Sequence, residues 1–282
     1  MLKQRILTAA ILAPLVVAGI FYLPFEIFVG AIAVVTLLGH WEWTQFVTPL
    51  DRIKHFISPA ILLALSLTLL PIDVTNLNLS VSGAISMAAA GALWWLLATV
   101  MVLSYPKKIA WWKDSGIMRQ GFGVLTLLPF MWSVILLRAQ GYNNDPLLGA
   151  KLVLLVCLLV WSADSGAYFA GKRFGKRKMA PNVSPNKTVE GLIGGMVAAM
   201  AVTGAFAHWL QIPFSSVPAL IAVALVTAFA SVLGDLAESM FKRVAGVKDS
   251  GSILPGHGGI LDRIDSLTAA FPVFAVMYIY MS

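Results

Sequence analysis

The chain has 282 residues, 59% of them hydrophobic and only 12% charged, where a soluble domain carries about 25% charged residues. So few charges cannot cover a soluble core, and such hydrophobicity excludes disorder, so with a mean hydropathy of +0.85 an integral membrane protein is expected. The net charge of +7 does not imply a nucleic-acid partner, and none is expected, because the placement of the cations decides more than their sum.

Apolar stretches long enough to cross a hydrocarbon layer of about 30 Å lie near residues 5–22, 26–47, 57–72, 82–104, 120–138, 147–170, 189–210, 217–236 and 264–281. The expected fold is therefore all-α and polytopic, with about nine transmembrane helices in a single integral membrane domain over 1–282. Within it, 1–140 is expected to serve mainly as scaffold and 147–282 to carry the chemistry. The first stretch follows a basic start, as a signal peptide does, but no small-residue cleavage site follows, so a retained helix is expected. Cys157 stands alone inside KLVLLVCLLVW, which leaves neither an intrachain disulfide nor a thiolate metal site.

Positive charge tests the span count independently, because cytoplasmic loops are enriched in Lys and Arg. With the N-terminus placed in the cytoplasm, that side collects Lys3, Arg5, Arg52, Lys54, Lys107, Lys108, Lys113, Arg119, Lys172, Arg173, Lys176, Arg177, Lys178, Lys187, Lys242, Arg243, Lys248 and Arg263. These are 18 of the 20 basic residues; only Arg138 and Lys151 fall opposite, and the C-terminus is expected there too. Segments 171–188 and 237–263 are long and rich in Gly, Lys, Ser and Asp, whereas opposite connections such as QIPFSSVP are short and nearly uncharged. Chemistry is therefore expected to face the cytoplasm. The pairs Trp94–Trp95 and Trp111–Trp112 are expected to anchor at membrane interfaces, and Glu42 in HWEW to make a structural hydrogen bond.

Of 13 acidic residues, Asp164, Glu190, Asp235, Glu238, Asp249, Asp262 and Asp265 fall in the ends and loops of the second half on that side. Ionisable groups at the ends of apolar helices are costly to desolvate and mark functional sites in membranes. Asp235, Glu238 and Ser239 are spaced i, i+3, i+4 and share a helix face that Lys242 extends by a turn. Gly251, Gly256, Gly258 and Gly259 with Pro255 then form a loop, after which LDRIDS returns to helix with Asp262 and Asp265 at i, i+3. Carboxylates, hydroxyl, cations and flexible backbone together suit metal-dependent phosphoryl or nucleotidyl transfer, since hard divalent cations prefer oxygen and phosphates need cations around them.

The run SMFKRVAGVKDSGSILPGHGGILDRID, residues 239–265, resembles the signature of the phosphatidate cytidylyltransferases, the CDP-diacylglycerol synthases, in its Ser, Lys-Arg, Lys-Asp, Pro, His-Gly-Gly and Asp-Arg-x-Asp. WSADSGAYFAGKRFGK, SPNKTVEG and the multi-span layout extend the resemblance along the chain. It implies transfer of CMP from CTP to phosphatidic acid, giving CDP-diacylglycerol and pyrophosphate, with one or two divalent cations such as Mg²⁺. It further implies a membrane-lipid environment in a bacterial plasma (inner) membrane, with the site facing the cytoplasm and a homodimer left open as the assembly.

The same resemblance places Asp235 and Asp262 as metal ligands, with Glu238, Ser239 and Asp265 as further ligands or orienting groups. Lys242, Arg243, Lys248 and Arg263 are expected to face phosphates, and His257, Gly258 and Gly259 to bind phosphate, without His257 acting as a base. Asp249 is open between an ion pair with Lys248 and a site carboxylate. Asp164, Ser165, Lys187 and Thr188 are expected to grip the CTP triphosphate or the lipid phosphate, and Arg177 and Lys178 to be topogenic charges. Two rivals remain at this stage. A CTP-dependent polyprenol or phytol kinase would need a base for the acceptor hydroxyl, and a transporter of an anionic lipid or metabolite would place its charges near the midplane in both halves.

Overall fold

The computed structural model describes residues 2–48, 50–70, 77–142, 144–253 and 258–282, the side chains of 2–9 and 77–81 excepted. Its helices are α1 (Leu2–Tyr22), α2 (Phe25–Val47), α3 (Arg52–Leu69), α4 (Leu77–Ser104), α5 (Gly116–Arg138), α6 (Leu148–Phe174), α7 (Val189–Trp209), α8 (Val217–Ala245) and α9 (Leu261–Met281). Each expected span is one of these helices, and eight of them, α2 to α9, are long and apolar enough to cross a membrane. The protein is an all-α, multi-pass integral membrane protein.

Hydrophobic stretches end where charge begins, but the backbone ladder does not. α8 therefore runs to Ala245, past the expected end at 236, and carries Asp235, Glu238, Ser239, Lys242 and Arg243 on continuous helix. It stops at Gly246, which takes the left-handed conformation (φ +71°) while the Val247 N–H reaches back to the Lys242 carbonyl. α6 likewise continues to Phe174.

The segment 171–188, expected as loop, instead holds the last turn of α6 and an antiparallel hairpin of β1 (Lys178–Ala180) and β2 (Ser184–Thr188), pairing Lys178 with Thr188 and Ala180 with Ser184. Val183 at its turn is buried, and its carbonyl accepts from Arg243 Nε at 3.2 Å, which docks the hairpin on α8.

α5 forms the centre, with 78% of its most apolar window buried against α2, α4 and α9. Small residues make the close approaches possible: a Cβ on Gly91 of α4 would lie 2.6 Å from Pro129 and 2.9 Å from Pro272, and one on Gly123 of α5 would lie 2.5 Å from the Trp43 ring. α6 and α7 meet along a seam of Gly and Ala, where a Cβ on Gly166 would meet Ala198 at 2.5 Å and one on Gly195 the Ala163 carbonyl at 2.6 Å. Such seams replace the missing hydrophobic drive between helices in lipid with backbone-to-backbone packing.

The interface role expected for the tryptophans does not hold for three of the four. Trp94, Trp95 and Trp112 are buried, and only Trp111 is half exposed. Their burial becomes affordable for Trp94 and Trp95 because the indole N–H groups donate to Thr126 Oγ1 and the Thr268 carbonyl, both at 3.0 Å. Trp43, Trp94, Trp112, Phe122 and Phe241 interlock, with Trp43 to Phe241 and Trp94 to Phe122 centroids 5.0 Å apart. This aromatic layer is the floor beneath the charged end of α8.

Contacts between helix ends sort them into two edges. Arg138 Nε donates to the Ile20 carbonyl and Ser215 N–H to that of Met281, joining the ends of α1, α5 and α9 to the start of α8. At the same edge Asp145 accepts from Lys151 at 3.0 Å and from the Leu147 N–H, which hold its carboxyl below the usual range. The two cations set apart by the charge pattern, Arg138 and Lys151, thus lie together. Trp43 Nε1 donates to the Arg119 carbonyl at 2.8 Å, joining the end of α2 to the start of α5 at the other edge, where the hairpin and the α8–α9 connection also lie.

Candidate active site

The spacing expected on α8 is realised. Asp235, Glu238, Ser239 and Lys242 share a face, and Lys242 Nζ donates at 2.8 Å to both Glu238 Oε2 and Asp262 Oδ1. The side chains of Lys242, Glu238 and Asp262 are 13%, 4% and 7% exposed, so this bridge is shielded from water as surface pairs are not. Asp262 Oδ2 accepts the N–H groups of Ser250 at 2.9 Å and Gly259 at 2.8 Å. The end of α8, the loop after it and the first turn of α9 are therefore one hydrogen-bonded unit.

Next to it, Lys187 Nζ from β2 lies 2.6 Å from Asp235 Oδ2, and Ser239 Oγ donates to Asp235 Oδ1 at 3.3 Å. Asp265 lies against Glu238, carboxyl to carboxyl, and within electrostatic reach of Asp235. Asp164, exposed on α6, interacts with Asp235, Lys187 and Arg263. Five carboxylates, Asp164, Asp235, Glu238, Asp262 and Asp265, are thus linked by ion pairs or electrostatic interaction with three cations, Lys187, Lys242 and Arg263, a formal balance of −2.

Other expected site residues have different surroundings. Thr188 is the N-cap of α7, its hydroxyl accepting from the Gly191 N–H at 3.1 Å, and Arg243 holds the hairpin. Lys248, Asp249 and Ser165 are exposed, and among the described residues Asp249 makes no ion pair with Lys248. Gly258 adopts φ +83°, which only glycine takes without strain, and carries the chain to Gly259. His257 lies outside the described residues. Glu190 accepts from the Lys176 and Arg177 N–H groups at 2.9 and 3.1 Å, so it pins the basic loop to the start of α7.

Glu42 makes structural hydrogen bonds, as expected, but with unexpected partners. It reaches from α2 to the start of α9, where Oε1 accepts the Ile260 N–H at 3.0 Å and Oε2 the Leu261 N–H at 2.7 Å and Ser250 Oγ at 3.1 Å. Ser250, which sequence reasoning did not single out, is fully buried between Glu42 and Asp262. Gly251 and Gly259 pack directly on the Glu42 carboxylate, where a Cβ on either would collide with it. A cavity of about 250 Å³ between α2, α3 and α5 lies at the opposite edge and is lined by none of these groups.

The donor set fits a hard divalent cation. Among the described residues no three Asp, Glu, His or Cys groups converge as a closed cage, but Mg²⁺ needs only one or two carboxylates beside waters and substrate phosphates. Glu238 Oε1 is buried with no hydrogen-bond partner among the described residues, and the Glu238 carboxyl lies against that of Asp265, a contact that requires a proton or a cation between the two. Of the two carboxylates expected as metal ligands, Asp235 accepts two contacts, one on each oxygen, whereas Asp262 accepts three and offers only the remaining lone pair of Oδ1.

Ionisable groups gathered at the end of an apolar bundle mark a functional site in a membrane protein, and carboxylates set among cations suit phosphate chemistry. The profile of the cytidylyltransferase family matches residues 3–281, and the chain belongs to that family. It is 43% identical to a Haemophilus influenzae protein named phosphatidate cytidylyltransferase, over 100% of both chains. Proteins of the same name from Pseudomonas aeruginosa and Bacillus subtilis are 44% and 36% identical, over 98% and 96% of this chain and 97% and 95% of theirs.

Proposed function

We propose that the protein transfers CMP from CTP to phosphatidic acid, releasing pyrophosphate and forming CDP-diacylglycerol, at the edge where α8 and α9 meet. The observation that carries this reading is the full-length similarity to relatives bearing that activity in their names, joined to a clustered set of carboxylates and cations at one membrane edge. A lipid phosphate oxygen attacks the α-phosphorus of CTP, a new P–O bond forms, and the bond to the β-phosphate oxygen breaks as pyrophosphate leaves. The attacking monoester, with a second pKa near ~6, is already largely dianionic at neutral pH and needs no general base. That removes the need for a base in the role that a kinase would give one, and it accords with a site made of carboxylates and ammonium groups.

Lys187, ion-paired with Asp235, and Arg263, near Asp164, are the cations that would meet phosphate oxygens; Lys242 bridges two carboxylates and acts by fixing them. Mg²⁺ held by Asp235 and Asp262, with Glu238 and Asp265 beside them, would supply charge neutralisation of the two polyanions. Catalysis is then a matter of positioning and charge stabilisation. The site edge faces the cytoplasm of a bacterial inner membrane, a reading supported by the one-sided collection of cations and by the bacterial relatives. Supplying CTP labelled at the α-phosphate, Mg²⁺ and phosphatidic acid tests the reaction. Label in the lipid supports it and unaltered CTP refutes it, whereas label left in CDP when a polyprenol alcohol is supplied as the acceptor assigns a kinase.

A further inference from the structure

We infer that Glu42 and Ser250 form a positioning relay for the reaction, through which helix α2 sets the orientation of Asp262. The inference rests on the proposed CMP transfer but stands on its own observations. Ile260, the N-cap residue of α9, has no side chain that can cap the helix, so the first amides of α9 lack a local acceptor. Glu42, 218 residues away in sequence from Ile260, supplies it: its carboxylate takes the Ile260 and Leu261 N–H groups, where a helix favours negative charge.

Ser250 carries the effect onward. Its Oγ donates to Glu42 Oε2 and accepts the Asp262 N–H at 3.2 Å, while its own N–H donates to Asp262 Oδ2 at 2.9 Å. Ser250 therefore grips Asp262 at both backbone and carboxylate, and Glu42 grips Ser250. With Gly259 filling the last position on Oδ2, the Asp262 carboxylate has one orientation, which turns Oδ1 toward Lys242 and the cluster. Glu42 is 1% exposed and Ser250 fully buried, so neither touches solvent-borne substrate and both act through Asp262. Gly251 and Gly259 are the complement on the loop side, since a Cβ at either position would displace the carboxylate. A structural pin alone would need only one of these contacts; a two-sided hold on the site carboxylate is what a supporting partner of a ligating group provides.

Glu42→Gln tests this. The amide keeps the size of the carboxylate but offers one oxygen in place of two, so an NH₂ must confront an N–H donor of Ile260 or Leu261. The expected result is a kcat lowered by about 10–100-fold, as for other orienting partners, with KM for phosphatidic acid unchanged. In protein without added metal or substrate, amide hydrogen exchange should accelerate at residues 258–262 and stay as in wild type along α5. A wild-type kcat overturns the inference, as does exchange accelerated throughout the bundle, which makes Glu42 a general structural pin. Ser250→Ala is the second variant, decisive if Glu42→Gln does not accumulate: it keeps the N–H to Asp262 Oδ2 and removes both bonds of Oγ, the one to Glu42 and the one from the Asp262 N–H. A lowered kcat with exchange accelerated only around residues 258–262 supports the relay; an unchanged kcat overturns it, as does exchange accelerated throughout the bundle. Failure of wild-type label transfer would refute the proposed reaction, while the exchange readout would still decide the relay.

Discussion

Replacing Lys242 with Met tests whether the bridge between α8 and α9 is as dry as its geometry implies. The side chain keeps much of its apolar stem and loses two 2.8 Å charge-assisted hydrogen bonds to groups only 4% and 7% exposed. Asp262 retains the Ser250 and Gly259 N–H donors, but among the described residues Glu238 loses its only ion-pair partner and keeps just the Asp265 carboxyl beside it. Removing one partner of a buried ion pair costs about 3–5 kcal/mol, most of it the stranded charge. At about 2–4 °C per kcal/mol for a chain of this size class, the melting temperature in detergent should fall by on the order of 10 °C. The double variant Lys242→Met, Glu238→Gln removes the stranded carboxylate and should recover much of that loss without recovering turnover. Differential scanning of intrinsic fluorescence measures both. A single variant that melts within about 1 °C of wild type, well inside the range expected of a surface pair, would refute the shielded-bridge reasoning.

Further outcomes follow from the same geometry. Asp262→Asn should abolish turnover in the label-transfer assay while the protein stays in the membrane fraction, and retained activity would remove Asp262 from the site. Gly259→Ala should lower the melting temperature and slow turnover together, because the added methyl displaces the Glu42 carboxylate and Ser250; a variant with wild-type melting and rate would contradict that packing. A reporter fused after Ser282 should be active only in the compartment opposite the cytoplasm, and cytoplasmic activity would overturn the assigned orientation.

The spans were legible because crossing lipid requires a long apolar run, a local property, and the α8 site face because helix spacing alone brings Asp235, Glu238 and Ser239 together. The return of the chain to helix at Leu261 could be read from LDRIDS for the same reason. The hairpin could not: three- and five-residue strands that include Pro185 and Asn186 carry no alternation and poor strand propensity. The buried tryptophans were misplaced because an indole near a span end looks alike whether it meets headgroups or a threonine on another helix. The partners of Glu42 lie more than 200 residues away, and nothing local tells a carboxylate that caps a distant helix from one that caps its own neighbours. The glycines of the loop read from the sequence only as flexible backbone, and in the fold Gly251 and Gly259 make space for that carboxylate.

The central claim is CMP transfer at the α8–α9 edge, and the stoichiometry of products from purified protein tests it most directly. With α-labelled CTP, phosphatidic acid and Mg²⁺, the wild-type protein should release one pyrophosphate for each labelled lipid formed, and Asp235→Asn should form neither. Label recovered in CDP without pyrophosphate, or undiminished transfer by Asp235→Asn, would contradict the account.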